Sequence, residues 1–131
     1  MYLIDTNIFL EVLLEQEKAN DARQFFSLIR TSEIFLTDLS LHSIGIILIR
    51  LKKKEIFTKF IIDIREGDVQ ILSLDLEDMD STVRIVERFK LDFDDAYQYA
   101  AAQKHDLQLV SFDKDFDRTE KGKKEPSELI K

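Results

Sequence analysis

The chain has 131 residues, a formal net charge of −7 and 44% hydrophobic residues, which suits one domain with a substantial core. It contains no cysteine and only two histidines, so disulfides, thiolate metal sites and His-rich metal centres are excluded. The acidic balance argues against binding nucleic acid through overall charge, because phosphate contacts need Lys and Arg. The acidic charge is still compatible with an enzyme that binds phosphates through a bound cation.

The start of the chain does not predict export. Met1-Tyr2-Leu3-Ile4 is apolar but too short for a signal-peptide core, and it lacks a basic beginning. No apolar run approaches the length of a membrane span. We therefore expect a cytoplasmic protein with no membrane contact.

The first half of the chain alternates short apolar strands with helices. Tyr2–Ile4 is expected to be a buried parallel strand, followed by a helix that Thr6 or Asn7 caps. The later elements predicted here are a helix over 17–30, a strand over 33–37, and helices over 41–51 and 56–65, with Gly67 as a C-terminal cap. The 41–51 helix is apolar almost all round, so we expect it to be buried.

The second half continues the alternation. It predicts a strand over 69–74, a helix over 76–89, a helix from Asp92 to about His105 and a strand from Leu107 to Phe112. A charged segment follows from about residue 117. We therefore expect a single α/β domain over residues 1–131, with a mainly parallel sheet of four or five strands.

Aspartates follow two of the predicted strands. Asp5 comes directly after the first strand, and Asp113 follows the last. If these strands lie side by side and parallel, the two carboxylates meet at the edge of the sheet where ligands bind in open α/β folds. Asp95, in the first turn of the preceding helix, can join them.

Each of these aspartates also has a structural interpretation. Asp5 could cap a helix or interact with its dipole, although Asn7 can serve as the cap and leave Asp5 for function. Asp92 and Asp95 resemble a capping pair, in which Asp92 is the cap. Asp113 could be a turn residue. The functional interpretation therefore depends on the combination of carboxylates.

Three carboxylates brought together without Lys or Arg partners would repel one another. A hard divalent cation such as Mg²⁺ or Mn²⁺ relieves that repulsion, and oxygen ligands suit it. Such a cation can neutralise a phosphate, orient it and lower the pKa of a water molecule, as phosphodiester hydrolysis requires.

Three short motifs carry a resemblance to a known family. They are Asp5-Thr6-Asn7 after the first strand, Asp95-Ala96-Tyr97 opening a late helix, and residues 111–116 (SFDKDF) after a late strand. In this order the chain resembles a PIN domain, over about its whole length. PIN domains are metal-dependent ribonucleases, and many small ones are the toxins of VapBC toxin–antitoxin pairs.

The resemblance implies a three-layer α/β/α fold and an RNA substrate. Asp5, Asp95 and Asp113 would bind one or two Mg²⁺ or Mn²⁺ ions, and Thr6 or Asn7 would position the first aspartate or a water. It also implies a homodimer and a small antitoxin partner that blocks the site.

One position departs from the family pattern. PIN domains usually carry a glutamate in the helix after the second strand, and here Ser43 holds that position. A serine supplies no carboxylate, so we expect the metal to rely on the three aspartates. Asp92, Asp94 and Asp115 are the other carboxylates that could substitute for the glutamate.

Three rival functions remain. A degenerate PIN-like domain that binds RNA or protein without cutting is favoured by Ser43. A phosphoacceptor signalling module is disfavoured because Asp5 has no acidic neighbour. A phosphatase with an Asp-x-Asp nucleophile is disfavoured by Asn7, which stands where the second aspartate would be.

Overall fold

The computed structural model describes residues 1–130, and four strands and six α-helices lie within them. The strands are β1 (Tyr2–Ile4), β2 (Ile34–Thr37), β3 (Gln70–Leu72) and β4 (Gln108–Val110). The helices are α1 (Thr6–Leu13), α2 (Ala19–Leu28), α3 (Asp38–Arg50), α4 (Lys54–Glu66), α5 (Met79–Phe89) and α6 (Phe93–Lys104). The strands and helices alternate, as the sequence predicts.

The four strands form one parallel sheet in the order β3-β2-β1-β4. β1 and β4 are neighbours, with Leu3 opposite Leu109 and Ile4 opposite Val110. This confirms that the strands preceding Asp5 and Asp113 lie side by side and parallel. Beyond β4, Lys124 forms a single parallel bridge to Val110 and extends that edge of the sheet.

Helices cover both faces of the sheet and give it three layers. Successive strand residues point to opposite faces, so Leu3 and Ile4 enter different cores. Ile4 packs with side chains of α1 to α4 in one core, and Leu3 packs with α5 and α6 in the other. Burial on both faces explains why consecutive residues are apolar in both strands, Leu3 and Ile4 in β1 and Leu109 and Val110 in β4. The predicted α/β/α fold is confirmed.

Several predicted elements are longer than those in the structure. The last strand ends at Val110 instead of Phe112, and the helix predicted over 17–30 covers Ala19–Leu28. The helix predicted over 76–89 opens with a 3₁₀ turn, Leu76–Asp78. Because β4 ends early, Asp113 lies in a turn beyond the strand, where it caps the 3₁₀ helix Lys114–Arg118.

The prediction that the helix over 41–51 is buried is wrong for one of its faces. Ile44 and Leu48 are fully buried, whereas Ile46, Ile49 and Leu51 are 51%, 55% and 50% exposed. A helix that packs on a sheet buries one stripe, and α3 carries apolar residues beyond that stripe. They form a partly apolar surface on α3.

No helix among residues 1–130 is long and apolar enough to cross a membrane.

Candidate active site

A cleft opens at the edge of the sheet where the carboxyl ends of β1 and β4 meet the first turns of α1, α3 and α6. Its volume is about 270 Å³. Ser43 lines the cleft. So do four carboxylates and three apolar side chains, which are those of Asp5, Asp94, Asp95, Asp113, Leu10, Leu39 and Ile47. The structure therefore places Asp5, Asp95 and Asp113 in one cleft, at the position where ligands bind in open α/β sheets.

Asp5 is a buried carboxylate held by neutral donors. It is 6% exposed and occupies the N-cap of α1, where its Oδ1 accepts from the Thr6 backbone N–H at 2.8 Å. The Ser111 hydroxyl donates to Oδ2 at 2.7 Å. The prediction that Thr6 or Asn7 caps this helix is wrong, because aspartate is an equally good cap and its carboxylate faces the first free N–H.

Asn7 links the two strand ends instead of capping. Its amide nitrogen donates to Ser111 Oγ at 3.2 Å and lies 3.4 Å from Asp5 Oδ2. Its amide oxygen accepts from the Phe112 N–H at 3.2 Å. Thr6 contributes in a second way, since its hydroxyl donates to Ser40 Oγ at 2.9 Å. Both residues thus help to fix the surroundings of Asp5.

Asp95, Asp113 and Asp115 form a compact group of carboxylates. Each offers an oxygen within 4.8 Å of the others. Asp113 accepts from the Asp115 N–H at 2.8 Å, which orders the turn that carries both. Asp115 also pairs with Arg118 at 2.9 Å, so it is partly neutralised. Within residues 1–130, Asp5, Asp95 and Asp113 form no ion pair with Lys or Arg.

Burial, together with nearby negative charges, raises the pKa values of two carboxyl groups. Burial raises the pKa of Asp5, while hydrogen bonds from Ser111, Gln98 and the Thr6 N–H oppose the rise. Burial, followed by the negative charges of Asp113 and Asp5, raises the pKa of Asp95 to about 7. Both carboxyl groups therefore hold their protons more tightly than an exposed aspartate does.

We expect the metal-free protein to lose stability as the pH rises from about 4 to about 7. The pKa of Asp95 is about 7 in the folded protein against an ordinary value of 3.8. The folded state therefore holds this proton more tightly, and the stability present below pH 4 is lost as Asp95 ionises. Thermal unfolding in EDTA between pH 4 and pH 8 measures the fall.

Asp95→Asn should reduce this fall, because the side chain no longer ionises, while Asp5, whose pKa is also raised, still contributes to it. Asp117→Asn is the matched control, since Asp117 is exposed and pairs with Lys123 at 3.4 Å. An equal fall in wild type and Asp95→Asn would contradict the assignment to Asp95.

Of the other residues that the sequence predicts for the site, some line the cleft and others do not. Ser43 and Asp94 line the cleft, although Asp94 is exposed. Asp92 occupies the N-cap of α6, but its side chain makes no capping hydrogen bond. It is exposed and does not line the cleft.

Sequence reasoning missed Gln98, Ser40 and the side-chain role of Ser111. Gln98 and Ser111 both donate to Asp5, and Ser40 accepts from Gln98. A signal existed for Gln98, because it lies three residues after Asp95 and such residues share a helix face.

The donor set fits a hard divalent cation. Every ionisable side chain lining the cleft is a carboxylate, and Mg²⁺ and Mn²⁺ prefer oxygen ligands. Burial is the largest cause of the raised pKa values of Asp5 and Asp95, and neighbouring negative charges add to it. A cation held among Asp5, Asp95, Asp113 and Asp115 would offset those charges.

The family follows from a match over almost the whole chain. The model of the PIN domain matches residues 2–122. The chain belongs to the PIN domain family. Among curated proteins, none matches the sequence.

Solved PIN proteins share the fold at low sequence identity. A toxin–antitoxin complex from Klebsiella pneumoniae is 20% identical, with a TM-score of 0.78 over 96% of this chain and 98% of that one. FitAcB from Neisseria gonorrhoeae is 16% identical, with a TM-score of 0.76 over 96% and 98%. VapC20 from Mycobacterium tuberculosis, a toxin that cleaves the sarcin–ricin loop, is 16% identical, with a TM-score of 0.76 over 89% and 93%. At these identities the likeness supports the fold.

Proposed function

We propose that this PIN protein is an endoribonuclease that depends on Mg²⁺ or Mn²⁺. The observation that carries the proposal is the group formed by Asp95, Asp113 and Asp115, whose oxygens lie within 4.8 Å of one another beside the buried Asp5. Carboxylates placed this closely at a ligand-binding sheet edge suit a cation that neutralises a phosphate.

The chain contributes position and charge to the reaction. Asp5, Asp95 and Asp113 would hold the cation, with Asp115 beside Asp95 and Asp113. Hydrogen bonds from the Thr6 N–H and the Ser111 hydroxyl fix the Asp5 carboxylate. When bound, the cation supplies charge neutralisation at the phosphate and activation of water. No residue is needed as a covalent nucleophile, and Leu10, Leu39 and Ile47 form an apolar wall of the cleft.

A protein partner is part of the proposal. One of the similar structures above, from Klebsiella pneumoniae, is described as a toxin–antitoxin complex, and we propose a small antitoxin for this chain. The exposed Ile46 and Ile49 on α3, with Leu51 at its C-cap, offer apolar surface on a helix that also lines the cleft. A homodimer and a cytoplasmic location stay predictions.

The alternative is a PIN domain that binds RNA or protein without cutting. Ser43 favours it, because this side chain lines the cleft and brings no carboxylate. Calorimetric titration with Mn²⁺ separates the two. The nuclease is expected to bind Mn²⁺ through Asp95 and Asp113, and absence of binding would favour the degenerate domain.

A further inference from the structure

Gln98 is a polar residue in the most buried part of α6. All seven residues from Ala96 to Ala102 are buried, and Gln98 is 2% exposed. Burying an amide is unfavourable unless its hydrogen bonds are made. The contacts of this side chain should therefore show why a glutamine is present.

The orientation of the Gln98 amide is fixed by its neighbours. Thr37 Oγ1 accepts from the Ser40 N–H at 3.0 Å and donates to Gln98 Oε1 at 2.5 Å. The amide nitrogen then faces the other way, and it donates to Ser40 Oγ at 2.7 Å and to Asp5 Oδ1 at 3.0 Å. A donor rather than an acceptor is thus directed at the Asp5 carboxylate.

Gln98 connects the two parts of the acidic site. Asp5 follows β1, whereas Gln98 belongs to α6, the helix that carries Asp95 three residues earlier. The other donors to Asp5 come from its own helix, Thr6 and Asn7, and from Ser111 after β4. The Gln98 amide is therefore the direct hydrogen bond between Asp5 and the helix of Asp95.

We propose that Gln98 is a positioning residue for the metal centre, which acts by holding the Asp5 carboxylate in a fixed orientation relative to Asp95. This inference rests on the proposed metal-dependent nuclease. Residues that orient a carboxylate near a metal typically contribute roughly 10- to 100-fold to metal affinity or activity. Gln98 orients the Asp5 carboxylate with a neutral amide, which adds no charge to the site.

The first test is Gln98→Leu, which keeps an unbranched Cβ and similar bulk but removes the donor. We expect Mn²⁺ affinity to fall roughly 10- to 100-fold, measured from the electron paramagnetic resonance signal of free Mn²⁺. The metal-induced rise in melting temperature should shrink in parallel. In RNA cleavage, kcat should fall while KM changes little. Gln103→Leu is the matched control, because Gln103 is on the same helix and donates to Tyr99 Oη at 2.9 Å, outside the cleft.

A double-mutant cycle distinguishes positioning from a general loss of packing. If Gln98 acts through Asp5, Gln98→Leu should have little further effect on Mn²⁺ affinity in an Asp5→Asn background. An equal loss in both backgrounds would overturn the inference, as would wild-type affinity in Gln98→Leu. If Gln98→Leu does not fold, Gln98→Asn keeps an amide that is one methylene too short, and the same losses are expected.

The two proposals fail in different ways. Wild-type protein that binds Mn²⁺ and cuts RNA, beside an unchanged Gln98→Leu variant, would overturn only the role of Gln98. Wild-type protein that neither binds Mn²⁺ nor cuts RNA would overturn the nuclease, and the role of Gln98 with it.

Discussion

Asp113→Asn is expected to abolish detectable RNA cleavage and to weaken Mn²⁺ binding by roughly 100-fold or more, about 2.8 kcal/mol, because the change removes the negative charge of a proposed metal ligand. Asp113 offers an oxygen within 4.8 Å of Asp95 and Asp115, so its charge is central to the group. The fold should survive. Asparagine is as good a helix cap as aspartate, and the Asp115 N–H keeps its acceptor. Cleavage rates and Mn²⁺ titration measure the two effects.

The control for this change is Asp117→Asn, in the same short 3₁₀ helix. Asp117 pairs with Lys123 at 3.4 Å and does not line the cleft, so cleavage and Mn²⁺ affinity should stay at the wild-type level. Wild-type cleavage by Asp113→Asn would show that this carboxylate takes no part in the reaction.

Ser43→Glu is expected to raise Mn²⁺ affinity by roughly tenfold or more, which corresponds to about 1.4 kcal/mol of added attraction. Ser43 lines the same cleft as Asp95 and Asp113, so a glutamate there places a further oxygen ligand near the group. The added charge should also lower the melting temperature of the metal-free protein, because like charges in one site repel. Mn²⁺ titration and thermal unfolding with and without metal give both values.

The matched control is His42→Glu, which adds a carboxylate one residue away on the same helix. His42 is exposed and outside the cleft, so this variant should leave Mn²⁺ affinity unchanged. If both variants raised the affinity equally, the effect would come from overall charge, and position 43 would not correspond to the family's glutamate.

The sequence predicts the architecture well because its strands are short, apolar and separated by clear helices. Leu3 and Ile4 of β1 and Leu109 and Val110 of β4 are buried on both faces of the sheet, so consecutive apolar residues predict these strands. Their parallel pairing followed from the α/β alternation and from the motifs around Asp5 and Asp113. Strand ends were less certain, since Ser111 and Phe112 continue a β-like pattern although the ladder ends at Val110.

The surroundings of the site were harder to predict, because they depend on contacts between residues distant in the sequence. Gln98 lies in an alanine-rich helix, and its contact with Asp5 spans 93 positions. Asp5 and Asn7 are both good capping residues, so local sequence could not decide between them. On α3, apolar residues outnumber the positions that one buried stripe requires, and periodicity did not show that Ile46 and Ile49 face solvent.

The most direct test of the central claim is cleavage of a panel of structured RNAs by the purified protein in Mn²⁺ or Mg²⁺. EDTA and the Asp5→Asn variant are the controls, and asparagine preserves the cap of α1. The account predicts cleavage that requires the metal and is lost in both controls. Cleavage that persists in EDTA or in Asp5→Asn would contradict it, and so would a wild-type protein that binds no divalent metal.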